Sequence, residues 1–214
     1  MHFDERKIKH IHNYLDDDLV STLLNAATIA KKSIASVGTL IDNKYVHVEH
    51  KEHCNAYIVD YSSFTDILQQ LINSVKNQIT EQYKVEVVDT TIDFLYYTNG
   101  CKYWPHIDGQ MLHDDTLSRG DTKRDITAAV YLNDNYAGGE IYFQFFDKSI
   151  KPNTGDIIMY PSDYRYMHGV NEVVGERYAI VLWFTTNPPA YSMDDIKISN
   201  KNILNTLRTD KKIN

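Results

Sequence analysis

Cysteine is nearly absent: Cys54 and Cys101 are the two in 214 residues. They lie far apart and make neither a CxxC pair nor a disulfide framework. A disulfide-stapled scaffold is therefore excluded, and a reducing, cytoplasmic setting is expected. Proline (5) and glycine (9) are scarce, which excludes collagen-like and low-complexity chains. Positive charge is outweighed, with 22 Lys and Arg against 29 Asp and Glu and a net charge of −7. Such a chain lacks the broad basic field of a non-specific nucleic-acid binder, so no nucleic-acid partner is expected. The longest apolar run, Tyr178 to Phe184, is far shorter than the roughly 20 residues that span a bilayer. The N-terminal stretch MHFDERKIKHIHNY has no apolar core of a secretory signal. No membrane partner is expected. The length suits one domain.

What is present divides by pattern into a helical first part, a strand-rich second part and a polar tail. Residues 16–32 predict a helix, with Asp16, Asp17 and Asp18 at its start, Lys31 and Lys32 at its end, and an apolar stripe of Leu19, Leu23, Ala26, Ala27 and Ala30. Residues 63–83 predict a second helix. Phe64, Ile67, Leu68, Leu71, Ile72, Val75 and Ile79 recur at helical spacing, and Ser62 or Ser63 is the expected cap. From Val85 onward short β-type runs alternate with turn residues. The runs are 85–97, 103–108, 125–132, 140–146, 156–160, 164–170 and 177–186. Such a series predicts a mainly β fold with flanking helices, a jelly roll whose N-terminal helices cover one sheet. The final run places Arg177, Ala179, Val181 and Trp183 on one face and Tyr178, Ile180, Leu182 and Phe184 on the other.

Chemistry concentrates in the second part. His106 and Asp108 are two residues apart on a β-type run, so imidazole and carboxylate can face one centre. His168 sits alone on another such run. Two imidazoles and a carboxylate with open positions make the facial triad of non-haem iron sites. Arg177 follows His168 after the turn Asn171 to Glu176, and a hairpin there returns it beside His168. It then points inward, where a guanidinium is costly without an anion and no carboxylate is evident nearby. A dicarboxylate ligand fills that role through bidentate hydrogen bonds.

This ordered set resembles the Fe(II)/2-oxoglutarate-dependent dioxygenases, and more closely their prolyl 4-hydroxylase branch. The matching elements start at Tyr96-Tyr97-Thr98-Asn99-Gly100, followed by Tyr103-Trp104-Pro105-His106-Ile107-Asp108. They continue through Asp125 to Asn133, Gly138 to Phe143, and Pro152 to Asp156. They end with His168-Gly169-Val170 and Gly175 to Phe184. The resemblance implies a double-stranded β-helix and an oxidoreductase that turns 2-oxoglutarate and O2 into succinate and CO2 while hydroxylating a prolyl residue of a peptide or protein. It implies His106, Asp108 and His168 as ligands of Fe(II), Arg177 and Tyr131 as anchors of the distal carboxylate of 2-oxoglutarate, Tyr96 as a lining residue of that pocket and Trp183 as a wall near the metal. Ascorbate is the implied reductant. Val181 departs from relatives that carry Thr at that position. Residues 1–190 are then one dioxygenase domain, with 1–84 as helical support and 85–186 as the jelly-roll core, and 191–214 form a polar tail.

Other features read more simply. His47, His50, His53 and Cys54 share a short segment dense in charge, which suits a solvated loop better than a metal site. Residues 109–120 are polar and long for a hairpin, and suit a lid over the substrate carrying His113 on its surface. Tyrosine is abundant, 16 residues. Tyr103, Trp104, Tyr164 and Tyr166 suit either a groove for an extended peptide or ordinary sheet packing. Alternative readings keep the cofactors with another side chain, a free amino acid or a small molecule as substrate, or retain the fold as a non-catalytic binding module. An N-alkyl nucleic-acid demethylase fits poorly with the acidic charge. Oligomeric state has no signature in the sequence.

Overall fold

A computed structural model describes residues 4–41, 44–48, 55–113, 116–119 and 123–189. The first elements in chain order are β1 (Lys9–Ile11), α1 (Asp17–Ile29), β2 (Lys32–Ile34), β3 (Val37–Ile41), β4 (Lys44–Val48), β5 (Tyr57–Val59) and α2 (Thr65–Tyr83). They are followed by β6 (Glu86–Tyr97), β7 (Tyr103–His106), β8 (Gln110–His113), β9 (Thr116–Arg119), β10 (Ile126–Tyr131), β11 (Ala137–Gly138) and β12 (Ile141–Phe143). The last are β13 (Lys148–Ile150), β14 (Ile157–Pro161), β15 (His168–Val170), β16 (Val173–Val174) and β17 (Arg177–Asn187). Seven strands form a larger sheet in the order β1-β14-β10-β17-β6-β5-β2. Four form a smaller one in the order β13-β12-β15-β7.

Side-chain alternation on the central strands decides what each face of the larger sheet meets. Ala128, Val130, Ile180, Leu182 and Phe184 pack with Leu23 and Ala27 of α1 and with Leu68, Leu71, Val75 and Ile79 of α2. Ala129, Tyr131 and Ala179 point the other way and pack with Ile141, Phe143 and Ile150 of the smaller sheet. The layers are helices, larger sheet, smaller sheet: a jelly roll with the helices on one sheet, as the sequence pattern predicts. Its interior lies between the sheets.

Both helices start or stop away from their predicted bounds, for local reasons. Asp16 caps α1 by accepting the Leu19 N–H at 2.7 Å. The helix ends at Ile29, before Lys31 and Lys32. Lys32 belongs to β2, yet its ammonium still caps the helix by donating to the carbonyls of Ala27, Thr28 and Ala30. No serine caps α2. Its N-cap is Phe64, without a side-chain bond, and that ring is drawn into the core edge-on to Phe94, 6.1 Å between centroids.

The first part of the chain is more than helical support. β1 adds an edge to the larger sheet beside β14, and β5 with β2 extends the opposite edge beyond β6. Each of these strands is three residues long, too short to show a period. The 164–170 run divides into a 3-10 turn at Tyr164–Tyr166, capped by Asp163, and the short strand β15. The expected hairpin between His168 and Arg177 does not form. β15 lies in the smaller sheet and β17 in the larger, so the chain passes from one sheet to the other through the largely exposed residues 171–176. In the 109–120 segment β8 and β9 pair as a hairpin. The His50, His53 and Cys54 positions and the tail 191–214 lie outside the described residues.

Leu71 is fully buried in the cluster that joins α2 to the larger sheet. Leu71→Ala is expected to lower unfolding stability by about 2–5 kcal/mol, read as a lower urea midpoint at unchanged slope.

Candidate active site

The smaller sheet brings the two imidazoles together by register. His168 on β15 is the direct cross-strand partner of His106 on β7, and the ring centroids are 4.4 Å apart. Gly169 permits this approach, because a Cβ there would fall 2.5 Å from the Tyr142 hydroxyl and 2.7 Å from the Tyr103 carbonyl oxygen. β7 ends at His106, so Asp108 reaches the centre from the bend beyond the strand rather than by strand alternation. The Gly109 N–H fixes that bend by donating to the Ser162 carbonyl at 2.8 Å. Asp108 Oδ1 lies 3.4 Å from His106 Nε2, and its Oδ2 lies 3.6 Å from His168 Nε2.

Backbone carbonyls set both tautomers. His106 Nδ1–H donates to the Trp104 carbonyl at 2.9 Å, and His168 Nδ1–H donates to the Tyr166 carbonyl at 3.0 Å. A carbonyl can only accept, so each Nε2 keeps its lone pair and turns it inward. Burial pushes His168 down to about 4, against the opposing pull of Asp108, so this imidazole is neutral near pH 7. Burial alone would raise Asp108, but the facing imidazoles and Arg124 outweigh it and hold the carboxyl well below the usual range. Thr127 on β10 donates to Asp108 Oδ2 at 2.7 Å, with the Ser162 hydroxyl 2.7 Å from the same Thr127 oxygen. Two imidazoles with Nε2 turned inward and an ionised carboxylate, each oriented by a second group, are a fitting donor set for a divalent cation.

Along β10 from Thr127 the inner face continues through Ala129 to Tyr131. Across from Tyr131 stands Ala179 of β17, and next on that face is Arg177. Arg177 is 2% exposed and has no ion-pair partner among the described residues. Its chain neighbour Glu176 accepts from the Tyr96 hydroxyl at 2.6 Å. The guanidinium lies over the rings of Tyr97 at 4.6 Å and Tyr131 at 5.1 Å. Burial works against its charge, but the hydroxyls of Tyr97, Tyr131 and Tyr136 outweigh that and hold it charged. The Tyr131 and Tyr136 hydroxyls and Arg177 Nε are all buried without a hydrogen-bond partner. Such groups cost free energy unless a ligand satisfies them. Gly139, at φ +66°, makes room here: a Cβ would meet the Tyr136 ring at 2.8 Å and Arg177 Cδ at 3.2 Å.

Residues 92–185 match the 2OG-Fe(II) oxygenase superfamily. This region is a 2OG-Fe(II) oxygenase domain. Prolyl 3-hydroxylase 2 of Rattus norvegicus is 42% identical over 73 residues, 31% of this chain and 10% of that protein. The chain spans about a tenth of the length of this and similar curated relatives. Among solved structures, a prolyl hydroxylase from Trichoplax adhaerens in complex with a hypoxia inducible factor peptide fragment superposes with a TM-score of 0.63. It has 17% identity and covers 87% of this chain and 86% of that one. A Pseudomonas putida prolyl-4-hydroxylase superposes at 0.59 with 18% identity, over 84% and 92% of the two chains. These likenesses show a common fold.

Within the oxygenase domain the structure brings His106, Asp108 and His168 together at one end of the interior, and Arg177 with Tyr131 at the other. Trp183 stands across from Thr127, at the Asp108 end, with the Arg124 guanidinium 3.7 Å from its ring. Val181 is on the same inner face, against Ala129. Tyr96 is not in the pocket. It faces the helix side, 4.7 Å from the Tyr178 ring. Its neighbour Tyr97, the cross-strand partner of Arg177, takes the inner position. Tyr164 and Tyr166 are buried in the core, with the Tyr166 hydroxyl donating to the Asp4 carbonyl, so neither lines a groove. Tyr103 stays at the mouth against His106, 4.1 Å between rings. Tyr136 and Tyr160 carry no distinct sequence signal, yet both reach the interior, Tyr160 with its hydroxyl 2.9 Å from His168 Nε2.

Removing the hydroxyl that holds Asp108 tests this arrangement. Thr127→Val is expected to weaken Co(II) binding roughly 10–100-fold, read by absorbance titration, while the circular dichroism spectrum stays that of the parent.

Proposed function

We propose that this chain is an Fe(II)/2-oxoglutarate-dependent dioxygenase that hydroxylates a prolyl residue of a peptide or protein. The observation that carries the reading is Arg177: a buried cation without a carboxylate partner among the described residues, in the same interior as a two-histidine, one-aspartate centre. Iron bound there would supply the oxidising chemistry, converting 2-oxoglutarate and O2 to succinate and CO2 as a C–H bond becomes C–OH. The protein's share is to bind, orient and keep water out.

His106, Asp108 and His168 would hold the metal on one side and leave the remaining positions open. Four residues of β10, roughly 13 Å of strand, separate Thr127 at the metal end from Tyr131 at the cation end. Side chains reach in from both ends, and the remaining span suits a short diacid. Arg177 would take its distal carboxylate, and the orphaned hydroxyls of Tyr131 and Tyr136 would donate to the same oxygens. Their phenols are raised by burial, so they remain protonated donors.

A prolyl substrate is supported by the relatives, which are named prolyl hydroxylases by sequence and by fold. The Trichoplax structure holds a peptide fragment. The relatives named include both 3- and 4-hydroxylases, so the hydroxylated carbon is part of the test.

Purified protein with Fe(II) and 2-oxoglutarate is expected to form succinate, and His106→Ala to abolish it. Proline-containing peptides are expected to gain the mass of one oxygen, with amino-acid analysis separating 3- from 4-hydroxyproline. Succinate formed without any peptide adduct would sink the prolyl assignment and leave the cofactor chemistry standing. Tyr136→Phe is expected to raise the KM for 2-oxoglutarate roughly tenfold with little change in kcat, as loss of one hydrogen bond to a charged group requires.

A further inference from the structure

A second cluster of metal-ligating groups lies away from the oxygenase centre, at the outer edge of the larger sheet. β1 pairs antiparallel with β14, His10 opposite Ile158. His10 and, just past the strand end, His12 turn toward Asp156 in the turn before β14. His10 Nε2 lies 2.8 Å and His12 Nδ1 3.1 Å from the same oxygen, Asp156 Oδ2. The two rings are 4.0 Å apart. Asp156 is fully buried, and its position is fixed by two backbone donors, the Asn153 N–H to Oδ2 at 2.9 Å and the Asn13 N–H to Oδ1 at 3.1 Å.

The distribution of donors on that carboxylate is uneven. Its two oxygens offer about four lone-pair sites, two apiece. Oδ2 faces three nitrogens and Oδ1 only one. Two imidazoles that served only as hydrogen-bond donors would relieve this by sharing the two oxygens. Convergence of both on one oxygen also suits a cation, toward which two ring nitrogens and one carboxylate oxygen can be aimed at a common point. All three ligand atoms lie within 4.8 Å of one another. The His12 side chain is 60% exposed, which gives an ion a way in and leaves room for water to complete its shell.

We propose that His10, His12 and Asp156 form a second, structural cation site of the zinc class. Imidazole nitrogen and carboxylate oxygen suit Zn2+, and three protein ligands with water in the fourth position are an established zinc arrangement. The ion clamps the edge strand β1 to the turn Asn153–Asp156. That turn also carries the cosubstrate end of the pocket. The Tyr131 N–H donates to the Asp156 carbonyl at 3.0 Å, and the Gly155 N–H donates to the Tyr131 carbonyl at 2.8 Å. Zinc at the edge therefore stiffens the backbone from which the Tyr131 ring reaches Arg177.

The test is zinc titration of untagged, chelator-stripped full chain by calorimetry, with thermal melting alongside. His106→Ala, which breaks the oxygenase centre, is expected to retain one tight zinc equivalent and a zinc-dependent rise in Tm. Adding His12→Gln is expected to weaken that equivalent at least tenfold and remove the rise. His10→Gln is a second variant on the same background, and circular dichroism checks the fold of each. Absence of a tight equivalent in His106→Ala, or an equivalent and a Tm rise indifferent to both His12→Gln and His10→Gln, would overturn the site. Succinate formation in the parent protein reports separately on the oxygenase reading.

Discussion

A guanidinium buried without a carboxylate is the constraint around which the interior is organised. Arg177 loses most of its hydration when β17 enters the larger sheet, and no acidic side chain among the described residues replaces it. Three tyrosines surround it and hold it charged, and a buried full charge favours an anionic partner. The fold carries this cost because helices cover one face of β17 and the smaller sheet closes the other. A pocket so arranged has a standing preference for an anion, and a divalent-cation centre at its far end adds the preference for a second one. On the proposed reading, selectivity for a diacid would come from the separation of two positive ends along β10, not from any single contact.

β10 is the element that connects them. Thr127 holds Asp108 at one end, and Tyr131 stands by Arg177 at the other. The strand is hydrogen-bonded on both edges, to β14 and to β17, and buried at every residue. A small shift of β10 along its axis would move the metal anchor and the cosubstrate anchor together, so the distance between them is conserved under strain. A site on two loops would lack that property.

His106, Asp108, His168 and Arg177 were legible because each is a costly residue in an apolar run, and their order along the chain is informative. The Tyr96 expectation failed by a single residue. Two tyrosines in succession give the same composition in either phase, and the pairing of Tyr97 with Arg177 is a fact of register that the local pattern does not contain. Tyr136 was illegible for a different reason: it lies in the connection between β10 and β11, where no period exists, and only the tertiary fold carries its hydroxyl to Arg177. The strands β1, β2 and β5 are shorter than any window in which alternation can be counted. The hairpin expected between His168 and Arg177 was a reasonable use of loop length, but both sheets of a jelly roll draw strands from consecutive segments, and the chain crosses between them instead.

Tyr160 adds a last physical point. Its hydroxyl is 2.9 Å from His168 Nε2. With Nδ1–H committed to the Tyr166 carbonyl, that nitrogen is an acceptor, so the phenol must be the donor. This is the lone pair that a metal would need. Burial and the nearby Asp108 keep the phenol far above its ordinary range, so Tyr160 is a neutral donor near pH 7. Hydrogen bonds orient every group of the centre: Tyr160 on His168, Thr127 on Asp108, and backbone carbonyls on both imidazoles. A cation held by these residues would take the place of the Tyr160 bond alone, with the other groups still orienting its ligands, which would limit the reorganisation needed to form the site.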